Sequence, residues 1–259
     1  MIPATTPEAR LTAHIFERVH GSPPAATRHV RGALPLLDGL HVPLPWGAVV
    51  SAGRADTTSL YSMNDHVQGA VPPARAGEWA RDCVTALAAC GDPGTHLVVN
   101  RELPAATGLL TGTETARATT LALQDLHGTA PTEEHTRPTA RLTCNLSRTG
   151  LRLLIIDLGP RRPAVPPPAD PGSAERAAAA ILKGRATDLG PLLTGAHAPG
   201  DPVHDDALEA AIEAGALGGR TIGSCLVALA PATAVPAIRT QVTARLPDLP
   251  RPPRYLTAR

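Results

Sequence analysis

Apolar and polar positions along the chain alternate in blocks that read as short helices and strands. Thr6-Pro7-Glu8 supplies an N-cap, a proline for the first helical position and an early acid. Leu11, Ile15 and Val19 then recur at helical spacing up to Gly21, which predicts a first helix with that stripe inward. Residues 49–51 and Ser59–Ser62 read as strands around a Gly53-Arg54-Ala55-Asp56 turn. Residues 78–90 have helical spacing with Cys83, Leu87 and Cys90 inward, and Gly91-Asp92-Pro93-Gly94 is a strong turn. A strand at 97–100, a Pro/Gly-punctuated loop at 104–112 and a helix over Thr113–His127 follow.

Further on, Leu142, Cys144 and Leu146 alternate, and Leu151–Asp157 is an apolar run of buried-strand length. The six prolines between 160 and 172 predict a stiff connector. Ser173 is placed to cap an alanine-rich helix that stops at Gly184. Residues 205–214 predict a helix with Leu208 and Ile212 inward. Thr233 precedes another, with Val235, Ile238, Val242 and Leu246 inward, and a last strand lies at 254–257.

Chemistry concentrates at the loop and helix in the middle of the chain. A strand feeding a glycine-containing loop and a helix start is a common phosphate seat, because first-turn N–H groups are free and the dipole end is positive. The spacing is not G-x-x-x-x-G-K-[ST], and this segment contains no lysine. Thr111 and Glu114 stand in S/T-x-x-E spacing, a capping box in which the chain satisfies its own first-turn donors. A carboxylate there repels an incoming phosphate, by a few tenths to about 1 kcal/mol when exposed.

Composition narrows the function classes. A chain of 259 residues suits one large domain or two joined ones. A formal charge of +1 without basic clusters gives no reason to invoke nucleic acid or a membrane surface. Aromatics are 2% of residues, so the core must come from Leu, Val, Ile and Ala, and no base-stacking platform is available. No signal pattern opens the chain and no apolar run is long enough to span a bilayer, so a cytoplasmic protein is expected. Cys83, Cys90, Cys144 and Cys225 lack C-x-x-C spacing and read as small buried hydrophobes in a reducing compartment rather than as metal ligands.

Several segments resemble the galactokinase branch of the GHMP small-molecule kinases. Leu103, Pro104, Gly108, Leu109 and Leu121-Ala122-Leu123 keep the frame of that family's V-P-x-G-A-G-L-S-S-S-A-A helix motif, with Leu110, Thr111, Gly112, Thr113 and Glu114 in place of the serines and alanines. Gly150 to Asp157 is similar to a G-L-R-L-L-V-V-D strand. Thr187 to His197 is similar to I-G-P-L-L-T-E-G-H. Gly215 to Leu229 is similar to G-A-L-G-A-R-M-T-G-G-G-F-G-G, with the glycine run reduced to Gly223. Arg31 to Pro45 resembles the first motif with its E-H-T-D-Y block missing, and no Met-Asp-Gln occurs for the family's proposed base.

The resemblance implies a fold of α/β to α+β class, GHMP-kinase-like and two-lobed. The N-terminal domain (1–150) would be ribosomal-S5-like and the C-terminal domain (151–259) ferredoxin-like. It also implies where a phosphate-binding remnant would lie: Gly108, Thr111, Gly112 and Thr113. Asp38 is either a remaining acceptor for a sugar hydroxyl or a turn residue before Gly39.

The departures fall on the sugar-gripping acids, the triphosphate helix, the base segment and the glycine loop, while strands and helices keep their frame. Phosphoryl transfer rests on positioning and charge neutralisation, so their joint loss leaves no evident mechanism. The expected function is that of a catalytically impaired, galactokinase-like regulator, sensor or partner, with a protein partner or a sugar as ligand. The alternative is a divergent sugar kinase of galactokinase type using ATP and Mg. A third reading gives the shortened site new chemistry, with His66, Glu133, Glu134 and His135 as candidates beside a surface-loop role. His197 and His204 with Asp205 and Asp206 are read as structural rather than metal-binding.

Overall fold

The computed structural model describes residues 6–64, 69–91, 94–104, 107–110, 112–128, 142–144, 146, 149–159, 170 and 172–258. Asp65, His66, Thr111, Glu133, Glu134, His135 and most of the proline-rich connector therefore lie outside the described residues. The chain divides into two compact units, each drawn from separate segments. One comprises Met1–Gly32, Trp46–Ala105 and Leu110–Thr139; the other comprises Ala33–Pro45, Ala106–Leu109 and Ala140–Arg259.

In the first unit, helix α1 (Pro7–His20) starts where the sequence signals it. Thr6 accepts from the Ala9 N–H, Pro7 occupies the first turn, and Gly21 closes the helix in the left-handed conformation. The buried stripe is rotated from the expected one: Ala9, Thr12 and Phe16 face inward, while Leu11 is half exposed. Phe16 decides this. Its ring lies over Gly53, where a Cβ would come within 2.7 Å of Cζ, so the largest apolar side chain of the helix fills the space this glycine leaves free.

Strand β1 (Ala26–Leu37) turns through Asp38-Gly39 into β2 (Leu40–Arg54), a two-residue hairpin with Gly39 at φ 82. β3 (Ser59–Ser62) and β4 (Thr95–Arg101) are parallel neighbours joined through α2 (Arg81–Ala89), and the strand order is β1-β2-β4-β3. Alternation along β4 supplies both faces of the sheet. Leu97 and Val99 pack with Ala118, Ala122 and Leu123 of α3 (Thr113–His127) and with Cys83 and Leu87 of α2. On the other face His96 stacks on His20, and Asn100 donates to the Thr12 hydroxyl. Cys83 is fully buried, and Cys90, at the end of α2, is partly exposed but packs against the same core as Cys83 and Leu87.

In the second unit, β5 (Leu142–Thr143) pairs in parallel with Leu40 and His41 of β2. Then β6 (Leu151–Asp157), β7 (Gly218–Ile222), β8 (Cys225–Pro231) and β9 (Arg254–Ala258) form an antiparallel sheet of order β7-β8-β6-β9. Helices α4 (Ser173–Leu182), α5 (Leu189–Gly195) and α6 (Pro202–Glu213) connect β6 to β7, and α7 (Val235–Arg245) connects β8 to β9. This β-α-β-β-α-β order, with the first and third strands central, is the ferredoxin-like arrangement expected for the C-terminal half. Leu154, Ile156, Leu226 and Ala228 bury their side chains against Ala207, Ala211, Ile238 and Val242 of α6 and α7. Each fully buried branched side chain contributes roughly 1.5–3 kcal/mol.

Helix starts differ from the expected ones, by one residue at α4 and α7 and by three at α6. Gly172 rather than Ser173 precedes α4, Ala234 rather than Thr233 precedes α7, and α6 begins earlier, at Asp201-Pro202. Ile212 of α6, expected inside, is 42% exposed. Among the described residues no helix is long and apolar enough to cross a membrane.

Candidate functional site

In the first unit the mid-chain helix begins at an electrostatically crowded point. Gly112 is the N-cap of α3, at φ 90, a conformation open to glycine at little cost. This corrects the expected cap, which placed Thr111 there and Glu114 three positions on; Thr113 is instead the first helical residue and Glu114 the second. The acid still turns back onto the helix start. Glu114 Oε2 accepts the Gly112 N–H at 3.1 Å, and the side chain is only 5% exposed. Space around it is closed, since a Cβ on Gly32 would lie 2.5 Å from Leu110 Cδ2 and 3.3 Å from Glu114 Oε1.

A second carboxylate reaches the same helix start from α2. A Cβ on Gly112 would overlap Asp82 Oδ2, so only glycine lets the two approach. Burial pushes the Asp82 carboxyl above its ordinary range and Glu114 adds to that, while Arg101 and Arg81 pull it back. Arg101, at the end of β4, lies 3.5 Å from Asp82 Oδ2, and its Nε donates to Thr115 Oγ1 at 3.3 Å. The guanidinium is largely buried and is fixed through its backbone as well, which Asn64 holds with two hydrogen bonds. The positive charge and dipole of this site are met by the chain's own acids.

Gly108 and Gly223 belong to the second unit. Gly108 has φ 66, and a Cβ on it would lie 2.9 Å from Gly223 Cα. Gly223, at φ 60, forms the tip between β7 and β8, and a Cβ there would overlap the Thr107 carbonyl oxygen. The Ser224 N–H donates to that carbonyl at 3.1 Å. The Ser224 carbonyl in turn faces His204 Nε2 at 3.2 Å, and the fully buried imidazole presents Nδ1 to Asp201 at 3.1 Å. The shortened glycine turn is thus seated on loop 107–108 and held from behind by α6.

The remaining expected residues are placed separately. Asp38 is exposed at the β1–β2 turn, a position without the desolvation that a sugar-gripping carboxylate needs. His197 Nδ1 accepts from the Thr221 N–H at 3.2 Å and its Nε2 pairs with Asp205 Oδ1 at 2.8 Å. His197 and His204 therefore serve hydrogen bonds within the fold, and among the described residues no three His, Cys, Asp or Glu side chains converge on a metal position. Asp82 and Arg101 carry no motif in the sequence that would mark them as site residues. Asp82 is one first-turn acid among several exposed ones, and nothing in its local pattern marks the contact with Gly112.

Compared by sequence, the chain matches no protein-family model and no curated protein. Compared by structure, it superposes on Lactococcus lactis galactokinase, solved in complex with galactose, with a TM-score of 0.75 at 15% identity over 96% of this chain and 97% of that one. The fold is that of the GHMP kinases. Methanococcus jannaschii mevalonate kinase (TM-score 0.65, 11% identity, 90% and 97% coverage) and a homoserine kinase from Cytophaga hutchinsonii (0.61, 14%, 90% and 94%) share it. The GHMP fold here spans nearly the whole chain; of the segments expected to keep the family frame, Leu151–Asp157, Gly218–Ile222 and Cys225–Pro231 are strands of the second sheet, while Leu121 to Leu123 and Leu189–Gly195 lie in helices α3 and α5. What the fold carries chemically must be argued from the residues.

Proposed function

We propose that this protein is a GHMP-fold protein without phosphoryl-transfer activity, acting as a regulator, sensor or partner. The observation that carries the reading is the start of α3, faced by two of the chain's own carboxylates. Glu114 takes the Gly112 N–H that a phosphate oxygen would otherwise accept, and Asp82 lies against the same glycine. A triphosphate with its metal would have to displace a buried acid and leave it unpaired, which costs several kcal/mol. The residues present do not fit that group. The seating of Gly223 on Gly108 supports the same reading, because glycine loops serve phosphate by leaving their backbone open to it.

Thermal-shift and turnover assays with Mg-ATP, with galactose and with both test the reading. The expected result is no ADP formation and no saturable shift with Mg-ATP. A saturable galactose shift alone would identify a sugar sensor. ATP turnover at any rate above a heat-inactivated control would overturn the proposal in favour of a divergent sugar kinase.

A further inference from the structure

Helix α1 carries apolar side chains on two flanks. Ala9, Thr12 and Phe16 are buried against the sheet of the first unit, with Phe16 over Gly53 and Thr12 bonded to Asn100. The neighbouring flank carries Leu11, Ile15 and Val19, with Leu11 50% exposed and the other two only partly covered. A surface helix ordinarily shows one apolar stripe, turned to its core, and polar residues elsewhere. The second stripe of α1 therefore calls for an occupant.

Charge closes this stripe at both ends. Glu8, Leu11, Ile15 and Arg18 stand at i, i+3, i+7 and i+10, the seam spacing of paired helices, and fall within about 80° of one another around the axis. Glu8 lies in the first turn and Arg18 in the last, and among the described residues neither has an ion-pair partner. Leu11 and Ile15 share a midpoint at Ala13, and so do Glu8 and Arg18. A twofold axis crossing the helix at the level of Ala13 sets Leu11 against Ile15 of a second copy and Glu8 against its Arg18, each contact made twice. Parallel pairing would instead set Glu8 against Glu8 and Arg18 against Arg18. The antiparallel arrangement also opposes the two helix dipoles.

We propose that a second copy of this chain covers the stripe. The two α1 helices pack antiparallel, with Leu11 and Ile15 at the centre and a Glu8–Arg18 pair at each end. A single helix pair is a small interface, so the dimer dissociates on dilution. This inference is independent of the reading of α3.

Sedimentation equilibrium of the full-length protein over a concentration series is the test, and a monomer–dimer equilibrium is the expected result. Leu11→Glu, at a half-exposed position, is expected to raise the dissociation constant about tenfold with unchanged circular dichroism. Glu8→Lys and Arg18→Glu are each expected to raise it about tenfold, since each removes both ion pairs and leaves like charges facing. Combining them rebuilds the pairs with reversed polarity and should return the constant to within about threefold of the parent. Both changes oppose the helix dipole, so that recovery has no source in the stability of α1 itself. A monomer at millimolar concentration would overturn the proposal and leave the stripe to a different occupant. A dimer indifferent to Leu11→Glu, or a double variant as weak as the single ones, would overturn it as well.

Discussion

Gly108 and Gly223 pack backbone against backbone, both in the left-handed conformation, so close that neither position has room for a methyl group. Gly223→Ala should therefore be among the most damaging small substitutions in the chain. It combines positive-φ strain with overlap on the Thr107 carbonyl, and a loss of about 2–4 kcal/mol is expected. Gly195→Ala, at the end of α5 with nothing within 4 Å of the added Cβ, is the control and should be neutral or slightly stabilising. Urea titration of both variants checks the contrast.

Removing the self-cap of α3 should cost stability rather than create activity. Glu114→Ala leaves the Gly112 N–H without that acceptor in a buried setting, for an expected loss of about 1–2 kcal/mol. Glu114→Gln keeps a carbonyl oxygen for the same N–H and should lose less. Equal losses in the two variants, read from denaturation midpoints, would mean that the charge and not the hydrogen bond is what matters there.

His204 should behave as a core residue with polar obligations. It is fully buried between the Ser224 carbonyl and Asp201, so His204→Ala opens a cavity and strips a partner from each. The expected loss is about 2–4 kcal/mol. Exchange of the Ser224 amide, which donates to Thr107, should speed up in this variant if His204 holds the tip in place.

Acid should weaken the first unit through His20. Burial, and then the facing His96 ring at a centroid distance of 4.2 Å, lower the His20 pKa from 6.5 to about 4. A pKa lower in the folded state means that the unfolded chain binds the proton first. Stability is then full above about pH 6.5 and falls as the pH drops toward 4. With the ring only half buried, the effect is on the order of 1 kcal/mol. His20→Gln should flatten that limb of the melting temperature against pH; an unchanged profile would place the acid sensitivity elsewhere.

Much of this fold is written in local pattern. Helix α3 and strand β6 follow the periodicity of Thr113–His127 and Leu151–Asp157, because each element shows its buried positions at the period of its own backbone. The β1–β2 hairpin was hidden by Pro35, Pro43 and Pro45. Pro35 sits in the edge strand β1, and the other two fall in the stretch of β2 between its pairing with β5 and with β4. The inward faces of α1 and α6 depend on what they pack against: Phe16 fits over Gly53, while Ile212 is left 42% exposed. At the candidate site, the Glu114 carboxylate was legible as a helix-start acid. Its burial, and the arrival of Asp82 from another helix, depend on tertiary packing that spacing does not encode.

One margin of the second unit's sheet bears on how partners could engage it. β7 is an outermost strand, yet the Gly219 N–H donates to Thr194 Oγ1 and the Thr221 N–H to His197 Nδ1. Two side chains thus plug the donors that a visiting polypeptide would need to extend the ladder. Recognition along that border must run through side-chain surfaces, and the same plugging guards the protein against stacking with its own kind.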